Sequence, residues 1–315
     1  MYEADDPRSS LKAKPASPLA PAADPYAQPV GPKAGFAAAE YLRFYQRPAD
    51  ENVNGAQTWF GRGQNFVVAY SRAQAGAVLE RRGQVDEYML ALQYPGKGVR
   101  ITAGGETVDV SGFSLTIVPP GDSRIEVLED AQVLRVFSTR NVDVASRASN
   151  AAAYAEAHPH IPPFKPWPDP PGGFRIRTYT LDVPPKPGRF GRLFRCTTMM
   201  INMLPFEPSP RDTSKLSPHH HDDFEQGSFA IEGAFMHHIR WPWTANQSHW
   251  RDDDHEHCAA PSLAVIPPPA IHTSAATDPA RNQLIDIFSP PRMDFSKMDG
   301  WVLNAADYPM PAPDA

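Results

Sequence analysis

The sequence predicts an all-β protein built from two copies of one β-barrel, and three observations carry that prediction. Short apolar runs alternate with turn signals over much of the chain. A proline-dense stretch separates two such blocks. The blocks also overlay each other at one place without a gap. Strands so short and so evenly spaced mark a sandwich or barrel rather than a parallel sheet with crossover helices.

In chain order, residues 1–40 read as an irregular arm. "KPASPLAPAADPYAQPVGPK" is rich in proline, which lacks a backbone donor and resists both helix and central strand. "GFAAAEYLRFYQ" (35–46) is the one stretch there that predicts a helix. The first β block runs from about Thr58 to Ser138 through "NFVVAYS", "AGAVLER", "EYMLALQY", "GVRITAGGETVDV", "SLTIVPPGD", "RIEVLE" and "AQVLRVFS". "NVDVASRASNAAAYAEAH" (141–158) is alanine-rich and predicts a helix, followed by a proline linker over 159–173. The second block runs from "FRIRTYTLDV" through "FRCTTMMINMLPF", "GSFAIEGAFMHHIRWPW" and "SLAVIPPPAIHTSA" to "QLIDIFSPP". The expected organisation is an arm over 1–40, a first barrel over 41–143, a linker over 144–174, a second barrel over 175–295 and a tail over 296–315.

Bulk composition agrees. The 315 residues are 41 % apolar and 21 % charged, enough for a real core in two domains. A formal charge of −6 gives no reason to expect nucleic acid or an anionic membrane as partner. Cys196 and Cys258 do not make a disulfide framework. No apolar leader and no run of about 18 apolar residues is present, so a cytoplasmic, non-membrane protein is expected.

The internal match lays "FSLTIVPPGDSRIEV" (113–127) over "PSLAVIPPPAIHTSA" (261–275), placing Arg124 on His272. Upstream, "DEYMLAL" (86–92) lies over "EQGSFAI" (225–231), placing Glu87 on Gln226. The first pair of landmarks is 37 positions apart and the second 46, which predicts an insertion at "TANQSHWRDDDHEHC". Duplication of one β-fold follows.

The chemistry concentrates in "SPHHHDDFEQGSFAIEG" (217–233). Side chains at i and i+2 of an extended segment share a face, so His219 and His221 can reach one cation. Four residues separate His221 from Gln226, and six separate Gln226 from Gly233. Far downstream, "PPPAIH" supplies His272. This pattern resembles the cupin superfamily, whose first motif is a His-x-His pair, an acidic or amide ligand and a glycine, and whose second ends in a proline-rich turn with a histidine. The resemblance implies a bicupin, two jelly-roll barrels with a few short helices, with one divalent metal (Fe, Zn, Ni or Mn) held by His219, His221, Gln226 and His272. Glu225 is the alternative to Gln226. Gln226 satisfies both motif spacings and puts Ser228 and Ala230 on the lumen side, with Phe229 and Ile231 in the packed layer. Three or four protein ligands leave a position for water or substrate, as catalytic sites do.

In the first block the matching positions are Glu80, Arg82, Glu87 and Arg124, which bind no cation well. They read as paired charges within a degenerate barrel, or else as an anion pocket around the arginines. "FMHHIRWPW" (235–243) offers Met236, His238 and Arg240 on one face and Phe235, His237, Ile239 and Trp241 on the other. The first set is expected in the pocket, with His238 moving protons and Arg240 holding a carboxylate. "RDDDHEHC" (251–258) reads as a solvated surface loop, with a second metal site as its rival.

Fold does not fix reaction. The resemblance implies a small-molecule substrate, an organic acid or an aromatic compound, and a homodimer. Three functions are expected of such a site: a dioxygenase, placed first; a zinc or nickel isomerase or lyase acting on a sugar acid or other carbonyl compound; and a binding protein without turnover.

Overall fold

Period-two alternation of apolar and polar residues becomes a set of antiparallel pairings once the strands are placed. The computed structural model describes residues 36–312. The first half contains β1 (Glu40–Arg43), β2 (Glu51–Val53), β3 (Ala56–Arg62), β4 (Phe66–Ala73), β5 (Val78–Gln84) and β6 (Tyr88–Leu92). It continues through β7 (Val99–Ala103), β8 (Glu106–Val110), β9 (Ser114–Val118), β10 (Gly121–Val127) and β11 (Ala131–Ser138) to the single-turn α1 (Val142–Ala145). The second half contains β12 (Arg177–Thr180), β13 (Arg192–Arg195), β14 (Met200–Met203), β15 (Glu225–Glu232) and β16 (Ala234–Arg240). It ends with β17 (Asp254–Ala259), β18 (Ser262–Ile266), β19 (Ile271–Ala276), β20 (Gln283–Ser289) and α2 (Met293–Ser296).

These strands form two double-layered barrels, so the chain is all-β with the expected cupin-type architecture. One barrel pairs the sheet β12-β9-β6-β11-β4-β3-β2 with the sheet β5-β10-β7-β8. The other pairs β1-β18-β15-β20-β14-β13 with β17-β16-β19. The orders correspond strand for strand over most of their length. Each barrel lends the other an edge: β1 pairs with β18 of the second barrel, and β12 with β9 of the first. Such exchange covers exposed sheet edges and ties the two halves together.

The two large sheets bury their outer faces against each other. That shared core joins Phe66, Tyr70, Met89, Leu115 and Leu134 of one barrel to Phe194, Met203, Phe229, Leu263 and Ile285 of the other. The interior of the first barrel is a separate apolar cluster, including Phe60, Tyr88, Leu90, Ile101, Ile125 and Phe137. The interior of the second is broken into small clusters around Phe288, Phe235 and Ile239. Polar side chains interrupt it, and they form the site described below.

Three local expectations change. Residues 36–46 form β1 and a 3-10 turn rather than a helix, because Leu42 and Phe44 are drawn into the shared core. Residues 141–158 break into α1 and a short 3-10 turn (Ala151–Tyr154). Asn150 interrupts them: its side-chain amide donates to the Arg62 carbonyl (2.8 Å) and its oxygen accepts from the Arg62 N–H (3.0 Å), a competition typical of asparagine. Most of "RDDDHEHC", from Asp254 on, is the edge strand β17, whose acids are engaged: Asp254 accepts from Tyr41 (2.8 Å) and Trp241 (3.1 Å), and Glu256 pairs with Arg43. The rest of the expected N-terminal arm, residues 1–35, lies outside the described residues.

Candidate metal centre

His219 forms an isolated antiparallel bridge with His272 of β19, at the open edge of the three-stranded sheet. His221 sits in the loop before β15, so the pair is not carried on one regular strand as expected. The geometry nevertheless converges. One ring nitrogen from each of His219, His221 and His272 lies within 4.8 Å of the other two. Ring centroids are 4.6 Å apart for His219 and His272 and 4.9 Å for His221 and His272. Three imidazoles so placed can hold a metal ion.

Backbone carbonyls orient the rings. Nδ1 of His219 faces the Ser217 carbonyl (2.8 Å), Nδ1 of His272 that of Ala270 (2.9 Å), and Nδ1 of His221 that of Phe224 (3.2 Å). A carbonyl only accepts, so in the neutral rings of His219 and His272 the proton sits on Nδ1 and Nε2 points to the cluster, whereas His221 has an acceptor at both nitrogens. Burial, reinforced by His272 and Arg292, pushes the His221 pKa well below its ordinary value and keeps the ring neutral. Phe224 stacks on that ring at 4.0 Å.

Gln226, the second residue of β15, lies beside this cluster. Its Oε1 lies 3.1 Å from His221 Nε2, while its amide nitrogen donates to Ser228 (2.9 Å) and lies 3.4 Å from Asp286 Oδ1. A neutral His221 has one proton for these two acceptors, and with that proton on Nδ1, as in the other two rings, Nε2 and Oε1 are two acceptors face to face. Two lone pairs at that separation repel each other unless a cation lies between them, which is how two ligands of one ion are arranged. The donor set therefore fits a divalent metal.

Alternation along β15 fixes the faces. Gln226, Ser228 and Ala230 look into the barrel, whereas Phe229 and Ile231 join the shared core. Glu225 goes with the latter set: its carboxylate accepts from the Gln64 N–H (2.6 Å) and from Tyr154 (3.0 Å), away from the histidines. Burial raises its pKa to about 7. As an alternative ligand Glu225 is thus placed on the wrong side of its strand. His220 is exposed, 3.5 Å from Asp222.

The facing of β16 is the reverse of that expected. Phe235, His237 and Ile239 are buried inward, while Arg240 is exposed and pairs with Asp253 (3.0 Å). His238 contacts His255 (2.8 Å) on the outer side. Neither His238 nor Arg240 reaches the cavity at the histidines. The alternation was legible but not its phase, because β16 is staggered across the barrel from β15 rather than paired with it.

Other residues occupy that cavity. It measures ≈ 50 Å³ and is lined by Arg211, Ser217, Gln226, Asp286 and Arg292 as well as two of the histidines. Asp286 is buried on β20 opposite Ser228, whose hydroxyl donates to it (2.8 Å). Its signal in the sequence is an acid in the middle of the apolar run "QLIDIFS". Arg292 is buried, bonded by Nε and Nη2 to Asp294 (3.0 and 2.6 Å) and packed on Phe295. His237 is held by Ser274 (2.8 Å), and burial lowers its pKa to about 3. A larger open hollow of ≈ 770 Å³ lies by Arg72, Tyr94 and Glu129 of the first barrel, remote from this chemistry.

In the first barrel the expected equivalents are placed elsewhere. Glu80, Arg82 and Arg124 are exposed; Arg124 lies 3.9 Å from Glu80 and 2.9 Å from Glu126. Glu87 is buried in the shared layer, accepting from Tyr308 (2.6 Å) and Thr197 (3.1 Å), which mirrors Glu225. The strand registers explain the one-residue offset. "SLTIV" of β9 overlays "SLAVI" of β18, and Val118 faces Tyr88 as Ile266 faces Gln226. Tyr88, not Glu87, therefore stands where Gln226 does.

No protein-family model and no curated protein matches the chain. Among solved structures, an oxalate decarboxylase examined for its substrate binding mode and a reaction specificity switch is 15 % identical. It covers 79 % of this chain and 76 % of its own, with a TM-score of 0.52. A Trp-to-Tyr variant of oxalate decarboxylase from Bacillus subtilis is 14 % identical over the same shares, also at 0.52. The E. coli protein Ylba is 12 % identical, covers 81 % of this chain and 91 % of its own, and has a TM-score of 0.47. The likeness to the decarboxylases is one of fold, the double cupin barrel. Among the described residues, no helix is long and apolar enough to cross a membrane.

Proposed function

We propose that the second barrel is a metal-dependent enzyme site acting on a small organic acid, with chemistry of the isomerase or lyase class. The observation that carries this reading is the convergence of three carbonyl-oriented imidazoles with the Gln226 oxygen 3.1 Å from His221 Nε2. His219, His221, Gln226 and His272 would hold one divalent cation. Bound there, the ion would supply Lewis acidity, undiminished by any anionic ligand in that set.

The chain's own residues supply the rest. Asp286 is the carboxylate lining the cavity, positioned by Ser228 and next to Gln226, and serves as the acid–base group. Arg211, whose Nη2 reaches Ser217 (3.1 Å), stands at the same cavity to receive a substrate carboxylate. Phe288 and Leu284 close the apolar side and limit water. The cavity is small: ≈ 50 Å³, against about 150 Å³ for an engineered apolar cavity that binds benzene. That disfavours aromatic substrates and supports an acid of a few heavy atoms. The fold-level likeness to oxalate decarboxylases agrees with a small acid. The first barrel, with Tyr88 where the second has Gln226, is read as having no metal site.

Dioxygenase chemistry is the second reading, supported by the same three neutral imidazoles. The two separate in one assay, in which metal-loaded protein is incubated with a panel of small hydroxy and keto acids in D₂O under an oxygen electrode. Solvent deuterium entering the substrate without oxygen uptake, and lost in Asp286→Asn, supports the first. Oxygen consumption tied to product formation supports the second.

A further inference from the structure

The two barrels carry opposite charge at equivalent places. Asp286 pairs with Ser228 on β15, and Arg135 of β11 pairs with Leu90 on β6. Leu90 follows Tyr88 by two residues as Ser228 follows Gln226, so Arg135 stands where the second barrel has its cavity acid. On the facing sheet the lumen pair is Arg81 and Ser123, opposite each other on β5 and β10, in place of the bridged His219 and His272. A cation-type interior has become a guanidinium-type one.

Arg135 is 5 % exposed. Its Nε is buried with no hydrogen-bond partner, and among the described residues no carboxylate is in bonding range of its guanidinium. Its neighbours are balanced and it is not. Arg81 is forked onto Asp143 (2.6 and 3.0 Å), and Arg147 is paired with Glu51. The three arginines lean on two rings, Arg147 over Phe60 at 4.3 Å, and Arg81 and Arg135 over Phe137 at 5.5 and 5.7 Å. A cavity of ≈ 160 Å³ opens on this group, lined by Phe60, Phe137 and the three arginines and also by two carboxylates, Glu51, which is held by Arg147, and Glu80, 3.9 Å from Arg124. Glu51 acts on Arg135 across the cavity without bonding it; a buried cation with no bonded counter-charge is costly, and an anion in the adjacent space lowers that cost. Desolvation already depresses the Arg135 pKa to about 10.

We propose that the first barrel binds a small carboxylate anion, held by Arg135 in the cavity between Phe60 and Phe137. The cavity holds the volume of about five waters, which fits a short mono- or dicarboxylic acid. The planar guanidinium fork on aromatic walls matches a carboxylate's two oxygens in one plane. This site is separate from the histidine cluster and does not depend on the function assigned to it.

Isothermal titration of malonate into the purified full-length protein tests it, with wild type, Arg135→Met and Arg135→Lys compared. Arg135→Met is expected to weaken malonate binding by about tenfold to a hundredfold and to melt no lower than wild type in malonate-free buffer, since an uncompensated buried charge is gone. Arg135→Lys keeps the charge without the fork and is expected to bind between the two; it stands as the test variant if Arg135→Met does not fold. Heat of malonate binding unchanged by either substitution overturns the proposal, as does a wild type that binds no malonate. Tighter binding of inorganic phosphate than of malonate overturns the carboxylate assignment.

Discussion

Replacing Glu225 by glutamine tests the shared layer between the barrels. The carboxyl group is fully buried on the side of β15 facing away from the histidines, and burial raises its pKa from 4.5 to about 7 despite donors from Gln64 and Tyr154. An acid whose pKa is raised on folding holds its proton in the native state where the unfolded chain has lost it. Its stability contribution is therefore full below the unfolded value, declines as pH rises from about 4.5 to about 7, and is flat above. A shift of that size corresponds to about 3 kcal/mol. Glutamine keeps the shape and cannot ionise, so Glu225→Gln should match wild type near pH 4.5 and exceed it by up to about 3 kcal/mol near pH 8. Urea unfolding across that range, with the difference between the two proteins plotted against pH, isolates this group from every other titration. A flat difference, or a variant less stable than wild type near pH 8, would refute the argument and show Glu225 ionised and well paired.

Other outcomes follow from the same geometry. Asp286→Ala removes the acceptor that orients Ser228 and Gln226, and metal affinity measured by chelator competition should fall about 10- to 100-fold. His238→Ala and Arg240→Ala, both on the outer side of β16, should leave metal content at the wild-type level by elemental analysis. Phe44→Ala empties a fully buried position where β1 crosses into the second barrel, and denaturant melts should show a loss of about 3–5 kcal/mol. Removing the ion with a chelator should lower the melting temperature and re-addition restore it, since a ligand of the native state stabilises by mass action.

The barrels were legible because strand alternation and turn residues are local signals. The histidine cluster was legible because it rests on two short motifs, and the β15 faces because Gln226, Ser228 and Ala230 are polar or small while Phe229 and Ile231 are large. The exchange of β1 and β12 was not, since a four-residue strand carries no mark of which sheet it joins. The phase of β16 failed for a related reason: both of its faces hold histidine, so polarity could not say which looks inward. Overlaying Glu87 on Gln226 was off by one residue because both blocks place two polar residues, Asp86-Glu87 and Glu225-Gln226, at the head of the strand, whereas the Tyr88–Val118 and Gln226–Ile266 pairings set the true register. Asp286 and Arg135 were hidden by distance. Each is a single charged residue in an apolar strand, and only the sheet shows what it faces.

The central claim is that side chains from the loop before β15, from β15 itself and from β19 share one cation. Elemental analysis of the protein purified without added metal, beside a folded His272→Ala variant, tests it most directly. The account predicts about one divalent ion per chain in wild type and close to none in the variant. Equal metal content in the two proteins, or a wild type that neither retains nor takes up any divalent ion, would contradict it.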